Sequence, residues 1–198
     1  MPRLTGALAS LAGEAERCCL CARELPLGPR PVFRVSGSAR LLLVGQAPGR
    51  RVHETGIPWN DRSGDRLRDW LAISRETFYD ARRIAILPSA FCYPGTDPRG
   101  GDRPPPKRCA PAWHPRFLPL LPEIALILPI GLHAQAYYLG PERKRSLTET
   151  VRSFEDYLPR FLPLPHPSWR NTGWLQRHAW FAEALLPRLR RRVQELLD

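Results

Sequence analysis

Apolar residues in this chain fall in short unbroken runs, separated by polar stretches rich in proline and glycine. Leu41-Leu42-Leu43-Val44 is too short for a helix and suits a strand buried on both faces. Ile84–Ala90 (IAILPSA) and Glu123–Gly131 (EIALILPIG) have the same character. So does Phe161–Pro165 (FLPLP), which runs into His166-Pro167-Ser168. Between these runs the spacing turns helical. Helices are predicted over 5–24, over Gly64–Ile73 with Leu67, Trp70 and Leu71 on one face, and over Cys109–Leu121, shortened by Pro115 and Pro119. Further helices are predicted over His133–Leu139, over Thr148–Leu158, and over Gly173–Leu197, the last interrupted or kinked at Pro187. Strands alternating with helices predict an α/β fold: one domain over 1–198, a three-layer α/β/α sandwich around a short, about four-stranded parallel sheet.

The long connections are the places for chemistry. Residues 46–63 form a loop of a length that usually carries function. It starts with the turn Gly45-Gln46-Ala47-Pro48-Gly49 and continues through His53, Glu54, Asn60 and Asp61. In an open α/β sheet, a site sits outside the carboxyl ends of the strands. His166-Pro167-Ser168, after the last strand, is expected on that same edge. Residues 26–38 and 93–107 are Pro/Gly-rich connections, the second unable to form a helix or a central strand.

Composition adds a partner class. The formal net charge is +11, and most of the 30 basic residues are arginine. That balance suits a polyanion, since Arg makes planar, bidentate phosphate contacts; an Arg-rich coding bias is the plainer explanation. The 43% apolar content means a globular chain. No stretch approaches membrane-span length, and the N-terminus reads as an amphipathic helix, so a cytoplasmic, membrane-free protein is expected. The five cysteines, Cys18, Cys19, Cys21, Cys92 and Cys109, are odd in number and grouped, which points to a metal site rather than disulfides.

Five pieces in order carry a resemblance: VGQAPG (44–49), TGIPWNDRSG (55–64), FCYPG (91–95), LPIGLHA (128–134) and PHPSWRN (165–171). Together they resemble the uracil-DNA glycosylase superfamily, nearest to its iron–sulfur branches. The resemblance implies a DNA glycosylase that hydrolyses the N-glycosidic bond of a flipped-out uracil or other deaminated base, leaving an abasic site. It implies damaged DNA, single- or double-stranded, as partner, and a monomer. It implies a 4Fe-4S cluster on Cys18, Cys21, Cys92 and Cys109, with zinc as the alternative and Cys19 a bystander or replacement ligand. His166 matches the histidine that donates to the leaving base. Trp59 matches the aromatic that stacks on it, and Gln46, Ala47, Asn60 and Ser89 stand at base-binding positions. Ser168, Arg170, Asn171 and Arg62 are placed for DNA. The best-known relatives have an acidic residue where Gln46-Ala47 stand; the Gln46 amide can take a catalytic part by orienting water but cannot accept its proton, so the expected water-activating carboxylates are Asp61 and Glu54, with His53 weaker. Arg50, Arg51, Arg62, Arg66, Arg99, Arg103, Lys107 and Arg108 form a candidate phosphate track, while Arg188–Arg192 reads as a solvated face. The rival readings are a non-catalytic nucleic-acid binder of the same fold and a small-molecule enzyme using the Gly/Pro loop as an anion cradle.

Overall fold

A computed structural model describes residues 6–98 and 100–198; Thr5 and Arg99, which figure in the expectations above, lie outside them. The sheet has three full strands, β1 (Leu41–Val44), β2 (Ile84–Ile86) and β3 (Leu126–Pro129), in the order β2-β1-β3 and all parallel. Every residue of all three is buried, as continuous apolar runs require.

The expected fourth strand is present only in part. Phe161 and Leu164 make single parallel bridges to Ile127 and Ile130. Leu162 donates to the Ile127 carbonyl at 3.0 Å and Gly131 to that of Leu164 at 2.8 Å. Pro129 and Pro163 lack the N–H groups that a regular ladder would need there.

Side chains alternate across the sheet and build two half-cores. On one face Leu41, Leu43, Ile84, Ile86, Leu126 and Leu128 pack with Leu67, Trp70 and Leu71 and with Leu189, Val193 and Leu196 of the C-terminal helix. On the other, Leu42, Val44, Ala85 and Ile127 pack with Leu8, Leu11, Trp113 and Phe117. The result is the three-layer α/β/α arrangement.

In chain order the helices are α1 (Gly6–Glu16), α2 (Arg50–Thr55), α3 (Arg62–Leu71), α4 (Arg75–Tyr79), α5 (Cys109–Phe117), α6 (Leu132–Leu139), α7 (Leu147–Arg152), α8 (Thr172–Arg177) and α9 (Leu186–Leu197). Two expectations are corrected. The first helix ends at Glu16, so Cys18–Cys21 lie in the turn after it and not on it. The last helical segment breaks near His178, and a π-helical turn, Phe181–Leu185, leads into α9. Pro187 follows closely on that π-helical turn, so the expected interruption of the helix lies just before it. Among the described residues, no helix is long and apolar enough to cross a membrane.

Candidate active site

The chain leaves central β1 for β2 on one side and then crosses to β3 on the other, so the carboxyl end of β1 is a topological switch point. A cleft of about 700 Å³ opens there, lined among others by Gln46, Ala47, Trp59, Asp61, His166 and Arg170.

Local chemistry explains how each wall is held. Gly45 ends β1 against the Trp59 ring, and a Cβ on Gly45 would come within 2.7 Å of Trp59 Cζ2. Trp59 itself has φ 56°, a left-handed conformation that a non-glycine residue holds only when its surroundings impose it. Gly64 is part of that imposition, since a Cβ there would stand 1.8 Å from the Trp59 carbonyl oxygen. Gly64→Ala is therefore expected to destabilise the protein by about 3 kcal/mol, read by denaturant unfolding. Asp61 is the N-cap of α3, its Oδ1 accepting the Gly64 N–H at 2.8 Å.

The opposite wall is carried by the partial fourth strand. Gly131, at φ 83°, lets His166 pass close, with a Cβ position only 3.4 Å from His166 Cβ. The fully buried Gln135 donates to the Leu164 carbonyl at 2.9 Å, and Asn171 Nδ2 to the His166 carbonyl at 2.7 Å. The rings of His166 and Trp59 face one another at 5.6 Å. Burial pushes the His166 pKa down, partly opposed by the charge of Asp61, so the imidazole is neutral near pH 7 and has an N–H to donate.

The match decides the family: residues 33–190 fit the uracil DNA glycosylase superfamily. The chain belongs to that superfamily. Its coarse function is therefore DNA-glycosylase-like, with DNA as the substrate class.

Among the expected site residues, the superfamily fold brings His166, Trp59, Asp61, Ala47, Gln46, Arg62, Ser168, Arg170 and Asn171 to the cleft. Two of these spend their side chains on the protein. Gln46 Nε2 donates to the Arg103 carbonyl at 3.1 Å, and the Asn171 amide is the His166 brace already described. Glu54, Asn60, Ser89 and His53 do not line the cleft. Glu54 pairs with Arg50 at 3.0 Å on the exposed side of α2, and Asn60 accepts from Arg75 at 3.0 Å. Ser89 is buried, its Oγ donating to the Gly45 carbonyl at 3.0 Å, and His53 turns to Tyr93.

The basic track is also thinned. Arg66 donates to the Ser168 carbonyl at 3.0 Å, and Arg108 pairs with Glu24 at 2.5 Å. Arg51, Arg62 and Arg170 remain at the cleft. Arg190 donates to the Trp70 and Asp69 carbonyls at 3.2 and 3.1 Å, so it caps the end of α3.

Three residues at or near the site have no role assigned to them by the sequence, although one of them, Trp169, lies within PHPSWRN (165–171). Trp169 is 69% exposed at the cleft rim, with the Arg170 guanidinium 5.2 Å from its ring centre. Asp102 reaches the cleft from the 93–107 loop. His114, fully buried, ties α5 to the exit of β2. Its Nε2 stands 3.1 Å from the Pro88 carbonyl, which can only accept, so Nε2 carries the proton and Nδ1 accepts the Tyr138 hydroxyl at 2.7 Å. Burial lowers its pKa to about 4, which keeps it neutral in this role.

Cys18, Cys21, Cys92 and Cys109 line one apolar hollow, together with Phe91 and Trp113. Cys19 is exposed outside it. Burial pushes the Cys92 thiol up to about 11 and that of Cys109 to about 12. Among the described residues, no three His, Cys, Asp or Glu side chains are gathered closely enough to hold a single ion as they stand. The donor set, four cysteines in a dry hollow with the Phe91 N–H 3.4 Å from Cys109 Sγ, fits the chemistry of a thiolate-bound group.

Proposed function

We propose that this protein excises uracil or another deaminated base from DNA by hydrolysing its N-glycosidic bond, leaving an abasic site. The observation that carries this reading is the pairing of a neutral His166 with Trp59 across a cleft at the switch point of a glycosylase-superfamily sheet. A base rotated out of the duplex stacks on Trp59. As the glycosidic bond lengthens, charge grows on the base oxygen, and the His166 N–H stabilises it there. Asp61 holds the start of α3 and places negative charge on the sugar side, where the oxocarbenium character develops.

Arg51, Arg62 and Arg170 hold phosphates at the rim. Trp169 fills the gap that the extruded base leaves in the stack. Trp169→Ala is expected to weaken binding to a duplex carrying an abasic-site analogue about 10- to 100-fold, read by fluorescence anisotropy. Cys18, Cys21, Cys92 and Cys109 hold a 4Fe-4S cluster, with zinc as the alternative; when bound, it staples the turn after α1 to the loop framing the cleft.

The test is incubation with oligonucleotides containing uracil, hypoxanthine or xanthine, followed by alkali. Strand breakage at the altered base supports the enzyme. Binding with no breakage on any of the three means a non-catalytic DNA-binding member of the superfamily.

A further inference from the structure

The loop between Cys92 and Cys109 delivers a carboxylate that the first motif lacks. Thr96 and Asp102 pair as an antiparallel bridge. The Asp97 N–H donates to the Gly101 carbonyl at 2.7 Å and the Arg103 N–H to that of Gly95 at 2.8 Å. Gln46, on the turn after β1, fastens the far side of this small hairpin through the Arg103 carbonyl at 3.1 Å. Asp102 is thus braced before and after, with its side chain at the cleft.

Gly49 faces it. Its φ of −75° and ψ of 172° suit any residue, so no backbone requirement selects glycine here. What glycine leaves is room: a Cβ at Gly49 would lie 3.3 Å from Asp102 Oδ2 and 4.0 Å from Asp61 Oδ2. The face of Gly49 therefore meets two carboxylate oxygens, both hydrogen-bond acceptors, on the cleft that Gly49, Asp61 and Asp102 line together. The carboxylates are not equivalent. Asp61 has committed Oδ1 to the Gly64 N–H. Asp102 is exposed at the cleft beside the charge of Asp61; desolvation and that charge raise its pKa, and Arg170 opposes them.

We propose that Asp102 is the general base of this site, taking a proton from a water seated over Gly49 between Asp102 and Asp61. The assignment rests on the glycosylase reading above. The water's proton passes to Asp102 Oδ2 and its oxygen bonds to C1′ of the sugar. The C1′–N bond breaks, and its electron pair leaves with the base as an anion whose oxygen accepts the His166 N–H. The proton on Asp102 then returns through solvent to the departing base, so the sum is base plus abasic sugar from DNA plus water. In this scheme Gln46, at the position where relatives carry an acid, acts by fixing the loop that carries the replacement acid.

Single-turnover excision on the uracil, hypoxanthine and xanthine oligonucleotides tests this across pH, beside DNA affinity. The charged and titratable groups around Asp102 are Asp61 on α3, Arg170 from the turn after His166, His166 itself, Arg51 on α2 and Arg62 on α3. Asp102→Asn is expected to lose about 10²- to 10⁴-fold in rate with affinity kept, and to lose the acidic limb of the profile. Asp61→Asn is expected to lose less and to keep that limb at lower pH, because removing the neighbouring charge lets Asp102 ionise more easily. Gly49→Ala keeps both carboxylates, fills the water's seat and is expected to slow excision. A wild-type rate or acidic limb in Asp102→Asn, or a wild-type rate in Gly49→Ala, overturns the assignment while leaving the glycosylase standing. A wild type inert on all three oligonucleotides overturns the glycosylase and Asp102's role with it.

Discussion

His166→Ala is expected to lower the single-turnover rate of base excision by about 10²- to 10³-fold while leaving DNA affinity near that of the wild type. The magnitude is that of removing one preorganised donor from a site of developing negative charge. The side chain reaches the cleft from a segment braced by Gly131, Gln135 and Asn171, so the donor is fixed before the base arrives. Affinity should be kept because the rim arginines and Trp169, to which the proposal assigns the hold on DNA, are untouched. Protonation state gives a second check. The His166 pKa lies below the ordinary imidazole value, burial being the main cause. The neutral form therefore persists as pH rises from about 6.5 to 8, and histidine deprotonation should remove no activity in that range. A steep loss of excision over that interval would mean that an imidazolium is the donor. Full activity in His166→Ala would mean that the leaving base is stabilised elsewhere.

The parts of this protein that were legible in the sequence are those whose signal is local. The run Leu41–Val44 declares a doubly buried strand because every position is apolar, and the Gly/Pro turn after it marks the edge where a site belongs. His166 stands at the end of another such run, so its edge follows from the same rule. What was not legible depends on partners distant in the chain. Gln46, Asn60, Ser89 and Asn171 have the right chemistry and the right neighbourhood, and nothing in their residue type says that each bonds the protein instead. Asp102 is the reverse case. It lies in a Pro/Gly stretch with no periodicity, and it is held at the cleft by a bridge to Thr96 and by a hydrogen bond from Gln46 to the carbonyl of the next residue, Arg103, 57 positions away from Gln46. The fourth strand shows the limit of the apolar-run signal: Phe161–Pro165 is in the right place and parallel, but its prolines leave it two bridges instead of a ladder.

Cys92→Ser is expected to bleach a brown protein and lower its Tm by about 10 °C, the size that follows from losing a cross-link of about 3 kcal/mol in a chain of this length. The four cysteines come from two segments far apart in sequence, the turn after α1 and the two ends of the 93–108 loop, and meet in one apolar hollow. A group bound by all four closes that loop at its base. Arg108–Glu24 makes a further link between the same two segments, but as an exposed ion pair it contributes little alone. The loop is also the carrier of Asp102, and it passes the Arg170 guanidinium so closely that a Cβ on Gly100 or Gly101 would stand 3.2 or 3.3 Å from it. Loosening its base should therefore reach the cleft: protease cleavage within 93–108 should speed up in Cys92→Ser, and excision should fall with Asp102 no longer held over Gly49. Cys19→Ser, outside the hollow, should change neither colour nor Tm. Iron and acid-labile sulfide in the wild type identify the cluster; a colourless wild type with stoichiometric zinc identifies the alternative, with the same loss of Tm expected in Cys92→Ser. A wild type free of both metals, with Tm and loop protection unchanged in Cys92→Ser, would show that the cysteines are packing residues and that the hairpin carrying Asp102 is held without a bound group at its base.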